Sequence, residues 1–423
     1  MKVGIYTLGC KVNSYESEYV AKLFEENGYT ISDFNDICDI YIINTCTVTN
    51  QSDVKSRKII REAIRRNPEA CVVAMGCFVE SNRDKLPEGI DVIIGNKDKS
   101  KIVELVEKYL EEKVPVNVLA DDLGLEFEDM EIKSFGDKTR AFVKIQDGCE
   151  NYCTYCIIPS VRGKCRSKKL DTVIKEITDL VNNGYKEIVL TGIHTGHYGF
   201  DLNVSFADLL KEIVKIPNLY RLRISSIETT ELNDEVLDVL RNSNIICNHL
   251  HVPLQAGSNE ILKLMNRKYD MDYFINKINE IRSIRPDIAI STDIIVGFPG
   301  ETEELFKQTL DNSKKIEFSK IHVFPYSMRN NTPAAKMKNQ VDGNIKKDRV
   351  KRLIDLSEEL EKEYMEKFIG KEVEVLIERN IDGDSIGHTS NFLLVKIPNS
   401  GYDKEEIVNV KITDVDYPYV IGK

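Results

Sequence analysis

No apolar run in this 423-residue chain approaches the roughly 18 to 20 residues that a helix needs to cross a bilayer. The opening residues, MKVGIYTLGCKVN, lack the longer apolar core and the small-residue cleavage site of a signal peptide, so a cytoplasmic protein with no membrane partner is expected. Ten cysteines are too few and too scattered for a disulfide scaffold, and a reducing compartment would keep them as thiols available to metal. A basic excess is also missing. The formal charge of −11 leaves no overall electrostatic footprint for nucleic acid, so binding of that kind has to rest on local patches. Hydrophobic content of 42% and charged content of 30% are ordinary for a globular chain, and this length suits two or three domains.

Residues 1–112 alternate short β-rich runs with amphipathic ones. Val3 to Leu8, Asp39 to Asn44, Cys71 to Met75 and Asp91 to Ile94 read as strands; Glu16 to Asn27, Asp53 to Arg66 and Ser100 to Leu110 read as helices. Gly28 can take the left-handed conformation that stops the first helix, and Pro68 ends the second. Strand and helix in repetition predict an open α/β layer with a largely parallel sheet. Residues 113–138 are acidic and irregular and read as a linker.

Strands are then predicted at 140–146, 187–192, 221–226, 247–253, 289–296 and 320–326, separated by helices of 3.6-residue period such as Leu170, Val173, Ile174, Ile177 and Leu180. Six such units make an open, partial (β/α)6 version of the eight-fold barrel, and with the long charged helix from Asn344 to Phe368 they fill residues 139–369. In residues 370–423 the runs Glu372 to Ile377, Phe392 to Ile397, Ile407 to Val415 and Tyr417 to Ile421 predict a small antiparallel β-barrel.

Two sets of thiols carry the chemistry. Cys149, Cys153 and Cys156 stand at C-x3-C-x2-C spacing after the first barrel strand, on the face where barrel enzymes react. A cuboidal iron-sulfur cluster ordinarily takes four thiolates, so three would leave one iron for a ligand that is not protein. Spacing alone leaves a structural zinc site, or three merely neighbouring thiols, as alternatives. Cys10, Cys46 and Cys77 each fall two or three residues past the carboxyl end of a different strand, at the edge where open α/β sheets bind ligands. They either converge on one crevice or are three small buried hydrophobes. Cys38 and Cys71, at strand starts on the other edge, read as buried residues.

In order along the chain come TLGCKVN, NTCTVT, MGC, DGCENYCTYCIIPSVRG, HVPLQAGSNEILKLMNRKY, TDIIVGFPGET and FPYSMRNNTPA. Together they resemble, over the whole chain, the methylthiotransferase family of radical S-adenosylmethionine (SAM) enzymes, and the C-terminal module resembles a TRAM domain. GCKVN is most similar to the branch modifying N6-threonylcarbamoyladenosine in tRNA, rather than those acting on isopentenyladenosine or on a ribosomal protein. The resemblance implies two 4Fe-4S clusters, one on Cys10, Cys46 and Cys77 and one on Cys149, Cys153 and Cys156. It implies a reaction using two SAM molecules, one for a methyl group and one for a 5′-deoxyadenosyl radical, that places a methylthio group on C2 of an adenine next to the anticodon. The implied partners are the tRNA anticodon stem-loop, an electron donor such as flavodoxin or ferredoxin, and a sulfur source. By order along the barrel, Thr191, Gly192, Ser226, Glu228, Gly297 and Phe298 match SAM-holding places. Glu80 departs from the Gln that the family carries after its third cysteine, and Cys165 matches no family role.

An unpaired anticodon purine can be splayed out and stacked on an aromatic ring while basic side chains hold the phosphates. Arg162, Lys164, Arg166, Lys168 and Lys169, beside the cysteine loop, are the leading candidates for RNA contact. Arg57, Lys58, Arg61, Arg65 and Arg66 and the stretch 336–352 follow. From Glu372 to Lys423 acidic residues outnumber basic ones ten to five, which leaves Arg379, His388, Lys396 and Tyr402 as a local face. His194, His197, His249 and His251 read either as pocket lining or as hydrogen-bonded structural residues. The alternative of another class is a non-catalytic zinc-binding or RNA-binding module.

Overall fold

The computed structural model describes residues 1–136 and 139–423, so the last two residues of the expected linker lie outside the described residues. Strands β1 (Lys2–Thr7), β2 (Thr30–Ser32), β3 (Ile40–Thr45), β4 (Cys71–Gly76), β5 (Val92–Ile94) and β6 (Val116–Asn117) form one parallel sheet, ordered β2-β1-β3-β4-β5-β6. Helices α1 (Lys11–Glu26), α2 (Asn50–Arg66), α3 (Cys77–Ser81) and α4 (Ile102–Glu112) connect them. The runs IYIINT and CVVAMG are buried at every position, as central parallel strands covered on both faces must be. Helix α1 starts at Lys11 instead of Glu16. Its first turns bury Asn13, Tyr15, Glu16 and Ser17 as well as Val12, so no apolar stripe marks them in the sequence.

The central unit holds β7 (Arg140–Asp147), β8 (Arg166–Ser167), β9 (Glu187–Gly192), β10 (Arg221–Ile224), β11 (His249–His251), β12 (Ala289–Val296) and β13 (Lys320–Pro325). Parallel pairing runs β7-β9-β10 and β11-β12-β13, and a bridge from Leu222 to Ile246 joins the two arcs into a six-stranded partial barrel. The two-residue β8 pairs antiparallel with β7. Around the strands lie α5 (Ile158–Arg162), α6 (Leu170–Asn182), α7 (Phe206–Ile213), α8 (Asp234–Asn242), α9 (Asn259–Leu264), α10 (Met271–Ile284) and α11 (Glu303–Ile316). One core runs through this unit, with Val143, Leu190, Leu222 and Ile290 from the strands and Ile177, Leu210 and Phe274 from the helices.

Strands β7 and β13 do not pair, and the N-terminal layer fills the gap between them. At β7 the Glu16 carboxylate of α1 accepts from Lys144 at 2.8 Å. On the other side Arg329, just past β13, donates to Thr47 Oγ1 at 2.7 Å and Asp53 Oδ2 at 2.8 Å. Helix α12 (Gly343–Glu366) lies against β13, with Ser357 Oγ accepting from the Ile321 amide at 3.0 Å.

Strands β14 (Glu372–Ile381), β15 (Asp384–Thr389), β16 (Leu394–Ile397), β17 (Ile407–Asp416) and β18 (Tyr419–Gly422) close into a barrel ordered β14-β15-β16-β18-β17. Every pair in it is antiparallel except β16 with β18. This barrel docks on the amino ends of the central strands: Arg221 reaches Glu374 at 2.8 Å, Arg140 reaches Glu378 at 2.6 Å, and Arg223 covers the Phe392 ring at 4.6 Å. Among the described residues no helix is long and apolar enough to cross a membrane.

Candidate active site

Parallel register puts Thr7 beside Asn44 and Thr45 beside Gly76, so the loops bearing Cys10, Cys46 and Cys77 leave one sheet edge from three neighbouring strands. The polar residues of the surrounding motifs hold those loops. Asn13 donates to the Leu8 and Thr45 carbonyls at 2.7 and 3.1 Å, and Asn44 donates to the Asn13 carbonyl at 3.0 Å. Gly9 has φ +107°, and a Cβ there would lie 3.2 Å from Cys46 Sγ; a side chain would crowd the thiols apart. Burial raises the pKa of Cys46, and the neighbouring Cys77 thiol adds to the rise.

The second trio occupies the loop after β7, where the Cys156 amide donates to the Cys153 carbonyl at 2.9 Å. Arg267 Nη1 donates to Cys153 Sγ at 3.4 Å, and its other nitrogen bonds the Glu228 carboxylate. His194 Nδ1 lies 3.6 Å from Cys149 Sγ, while its Nε2 faces Glu231. Burial opposes charge on that imidazole, but the bonds to Cys149 and Glu231 outweigh it and push the pKa up to about 10. Burial pushes the Cys156 thiol up to about 12. Tyr152, in the same loop, is 59% exposed at φ +49° and offers a ring to solvent beside the thiols.

The two trios adjoin. Cys77 packs against Ile157, which follows Cys156 directly, and Val161 of α5. A cavity of about 220 Å³ opens between Val48 and Thr49 of the Cys46 loop, Cys156 and Ile157 of the other, and Asp293 and Phe324 of the barrel. Arg162, at the end of α5, is fully buried at this junction. Its Nε donates to Cys77 Sγ at 3.3 Å, its Nη1 to Glu16 at 2.8 Å and Asp147 at 3.2 Å, and its Nη2 to Asn13 at 2.7 Å. Asn96 completes the cradle, donating to the Val161 carbonyl at 2.7 Å with Cys77 Sγ at 3.5 Å.

These contacts correct the expected RNA patch. Arg162, Arg166 and Lys168 are buried: Arg162 and Arg166 pair with Asp147, and Lys168 pairs with Glu176 at 2.5 Å. A guanidinium or ammonium whose donors are already spent on internal carboxylates has none left for phosphate. Of that group Lys164 and Lys169 are exposed, as are Lys58, Arg61 and Arg65 on α2. In the C-terminal module His388 is held by Glu378 and Lys396 by Asp384, which leaves Arg379 outward.

The expected SAM positions are dispersed in role. Thr191 is buried at the end of β9, and a Cβ on Gly192 would lie 3.1 Å from Gln146 Oε1. Ser226 is half-buried past β10, and Glu228 lines a small recess with Cys153 and Arg267. The Gly297 amide donates to Glu301 at 2.6 Å. Phe298 is fully buried, with its ring against Tyr155 and Tyr326, so it supports the cysteine loop from behind and presents no face to a ligand. Glu80 accepts from the Asn96 amide at 3.0 Å and from Arg83, so the departure from Gln has internal partners. Cys165 is buried 3.7 Å from His197 Nδ1. Sequence reasoning passed over Arg267 and Arg329, although both lie inside quoted motifs, because single cations in a motif do not declare their partners.

The thiols fit iron-sulfur clusters better than single ions. Sulfurs on one tetrahedral ion lie about 3.8 Å apart. Among the described residues, the groups whose ligand atoms all fall within 4.8 Å are His194, His197 and Glu231, and His251, Asp293 and His322; neither thiol trio is so tight. A four-metal cluster spreads its thiolates over separate metals and needs that wider spacing, and it takes donors such as Arg162 and Arg267 onto its sulfurs.

Comparison with known proteins agrees with this arrangement. Residues 143–312 match the radical SAM superfamily, 2–95 match uncharacterized protein family UPF0004, and 366–423 match the TRAM domain. The threonylcarbamoyladenosine tRNA methylthiotransferase MtaB of Bacillus subtilis is 44% identical over 431 residues, covering 100% of this chain and 96% of its own. The chain belongs to the radical SAM methylthiotransferase family. Its relatives include MtaB of Thermotoga maritima, 40% identical over 89% of this chain and 86% of that one. A tRNA-2-methylthio-N(6)-dimethylallyladenosine synthase of Acetivibrio thermocellus is 37% identical over 97% and 88%. Among solved structures, the radical SAM methyltransferase TsrM of Kitasatospora setae, with cobalamin and a [4Fe-4S] cluster bound, shares the fold at a TM-score of 0.57 and 17% identity over 79% of this chain and 76% of that one.

Proposed function

We propose that this methylthiotransferase acts on N6-threonylcarbamoyladenosine in tRNA, adding a methylthio group at C2 of the adenine beside the anticodon. The observation that carries the reading is the junction itself: two three-thiol sites, from two domains, that meet where Cys77 packs on Ile157, with the Cys46 and Cys156 loops lining one cavity. Cys10, Cys46 and Cys77 would hold one 4Fe-4S cluster, and Cys149, Cys153 and Cys156 the other. Bound clusters and SAM would supply the transferable sulfur, the methyl group and the radical.

The chain's own residues do the positioning. Arg162 and Asn96 donate toward Cys77, and Arg267 toward Cys153, so each of these sulfurs is held in place by a donor from outside its own loop. Tyr152, exposed beside the second trio, suits stacking on an extruded base, and Lys164, Lys169 and the α2 cations Lys58, Arg61 and Arg65 suit its phosphates. Preference for the threonylcarbamoyl nucleoside over the dimethylallyl one follows the higher identity, 44% against 37%. A reductant of the flavodoxin or ferredoxin kind, a sulfur source and a cytoplasmic setting complete the proposal.

Mass spectrometry of nucleosides from tRNA of a deletion strain tests it. The methylthio form of threonylcarbamoyladenosine should vanish and return with the wild-type gene but not with Cys153→Ala. An unchanged nucleoside profile would refute the substrate.

A further inference from the structure

A second cavity, of about 290 Å³, lies in the barrel lumen between β10–β13, α12 and the docked C-terminal barrel, and Lys11 of the N-terminal layer reaches into it. That volume is at the small end of ligand pockets, roughly 300–1,000 Å³. Most charges on its wall are matched. Arg223 is bonded to Glu187 at 2.7 Å, Lys320 to Glu361 at 2.9 Å, and His251 faces Asp293 at 3.2 Å. His249 and His251 share the Ser291 hydroxyl at 3.0 and 2.9 Å.

Lys11 differs. Among the described residues it has no ion pair or side-chain hydrogen bond, and the guanidinium of Arg223 lines the same cavity. It directly follows Cys10 in the chain, so the loop that carries the first N-terminal thiol also contributes to this cavity.

We propose that Lys11 binds the threonine carboxylate of the substrate's N6-threonylcarbamoyl arm in this lumen cavity, and so selects that nucleoside. The inference rests on the threonylcarbamoyl reading above. An ammonium that shares a cavity wall with Arg223 and has no counter-ion of its own gains when an anion joins it, and the arm brings one. The hydroxyl and ureido groups of the arm suit Ser291 and the imidazoles of His249 and His251 beside it. A dimethylallyl arm is wholly apolar, and would leave Lys11 unpaired; sites built around a polar partner reject analogues lacking it far more strongly than apolar pockets discriminate by size.

The test uses reconstituted full-length protein and synthetic anticodon stem-loops that differ at one adenosine: threonylcarbamoyl, the same arm with its carboxylate turned into a carboxamide, and dimethylallyl. Binding is read by fluorescence anisotropy. Wild type should bind the carboxylate RNA about ten- to hundredfold more tightly than the carboxamide, as one charge-assisted hydrogen bond allows. Lys11→Met should erase that ratio with little change toward the carboxamide, and Lys11→Arg should keep most of it. A wild type blind to the carboxylate, or a Lys11→Met protein that keeps the ratio, overturns the assignment of Lys11. A wild type that binds the dimethylallyl RNA as well as either threonylcarbamoyl form overturns the substrate reading itself.

Discussion

Arg162 Nε stands 3.3 Å from Cys77 Sγ, so the helix that follows one set of thiols is bonded to a thiol of the other. The same guanidinium is tied to Glu16, Asp147 and Asn13, and Glu16 is tied in turn to Lys144 and Lys99. Two domains are thereby locked at the point where their thiols meet, with no solvent to soften the charges.

Arg162→Met should destabilise the fold by about 3–5 kcal/mol, because it takes a hydrogen-bonded cation from each of two buried carboxylates, Glu16 and Asp147. Chemical denaturation measures this. If Arg162 served RNA, the variant would keep wild-type stability and lose only affinity.

Acid should loosen the same junction. Burial alone would raise the Glu16 carboxyl, but Arg162, Lys144 and Lys99 outweigh it and hold it well below the usual carboxylate range; Lys144, Arg162 and Arg166 do the same for Asp147. The stability these pairs contribute is present above the unfolded carboxylate values near about 4 and drains as pH falls below them. Glu16→Gln should be less stable at neutral pH and show a shallower acid limb when Tm is followed against pH. Parallel acid limbs would contradict the assignment.

Arg267 joins Cys153 to Glu228 beside the second trio. Arg267→Met removes a donor from the sulfur and leaves Glu228 without its cation. Formation of 5′-deoxyadenosine from SAM should fall by about tenfold or more, as for other outer-shell partners of metal ligands. Chromatography of the product measures it, and an undiminished yield would count against the role.

Removing residues 370–423 should lower the Tm of the remainder by roughly 5 °C or more, since it uncovers Arg221, Arg223 and the buried Glu187 between them. A module that was merely tethered would leave the Tm unchanged.

Most of the architecture is legible in the residues. Continuous apolar runs such as IYIINT mark central parallel strands, and Cys10, Cys46 and Cys77 follow three of them closely enough to predict a shared edge. Of the unforeseen strands, β2, β6 and β8 have only three, two and two residues, too few for any period to register, and the six-residue β15, DSIGHT, has Ile386 as its one large apolar residue. The misread side chains are buried ones whose partners lie on other elements. Arg162, Arg166 and Lys168 look like an RNA patch until Glu16, from the N-terminal domain, folds against Arg162 and Glu176, on the next helix, against Lys168. Phe298 is similar: an aromatic after a strand reads the same whether it faces a ligand or the core.

The central claim is that two separate three-thiol sites each hold a four-iron cluster. Iron and sulfide counting after anaerobic reconstitution tests it most directly, on the wild type and on two triple Cys→Ala proteins, one lacking Cys10, Cys46 and Cys77 and the other lacking Cys149, Cys153 and Cys156. The prediction is about eight irons per wild-type chain and about four in each triple variant. Four irons in the wild type, with one triple variant no different from it, would contradict the account.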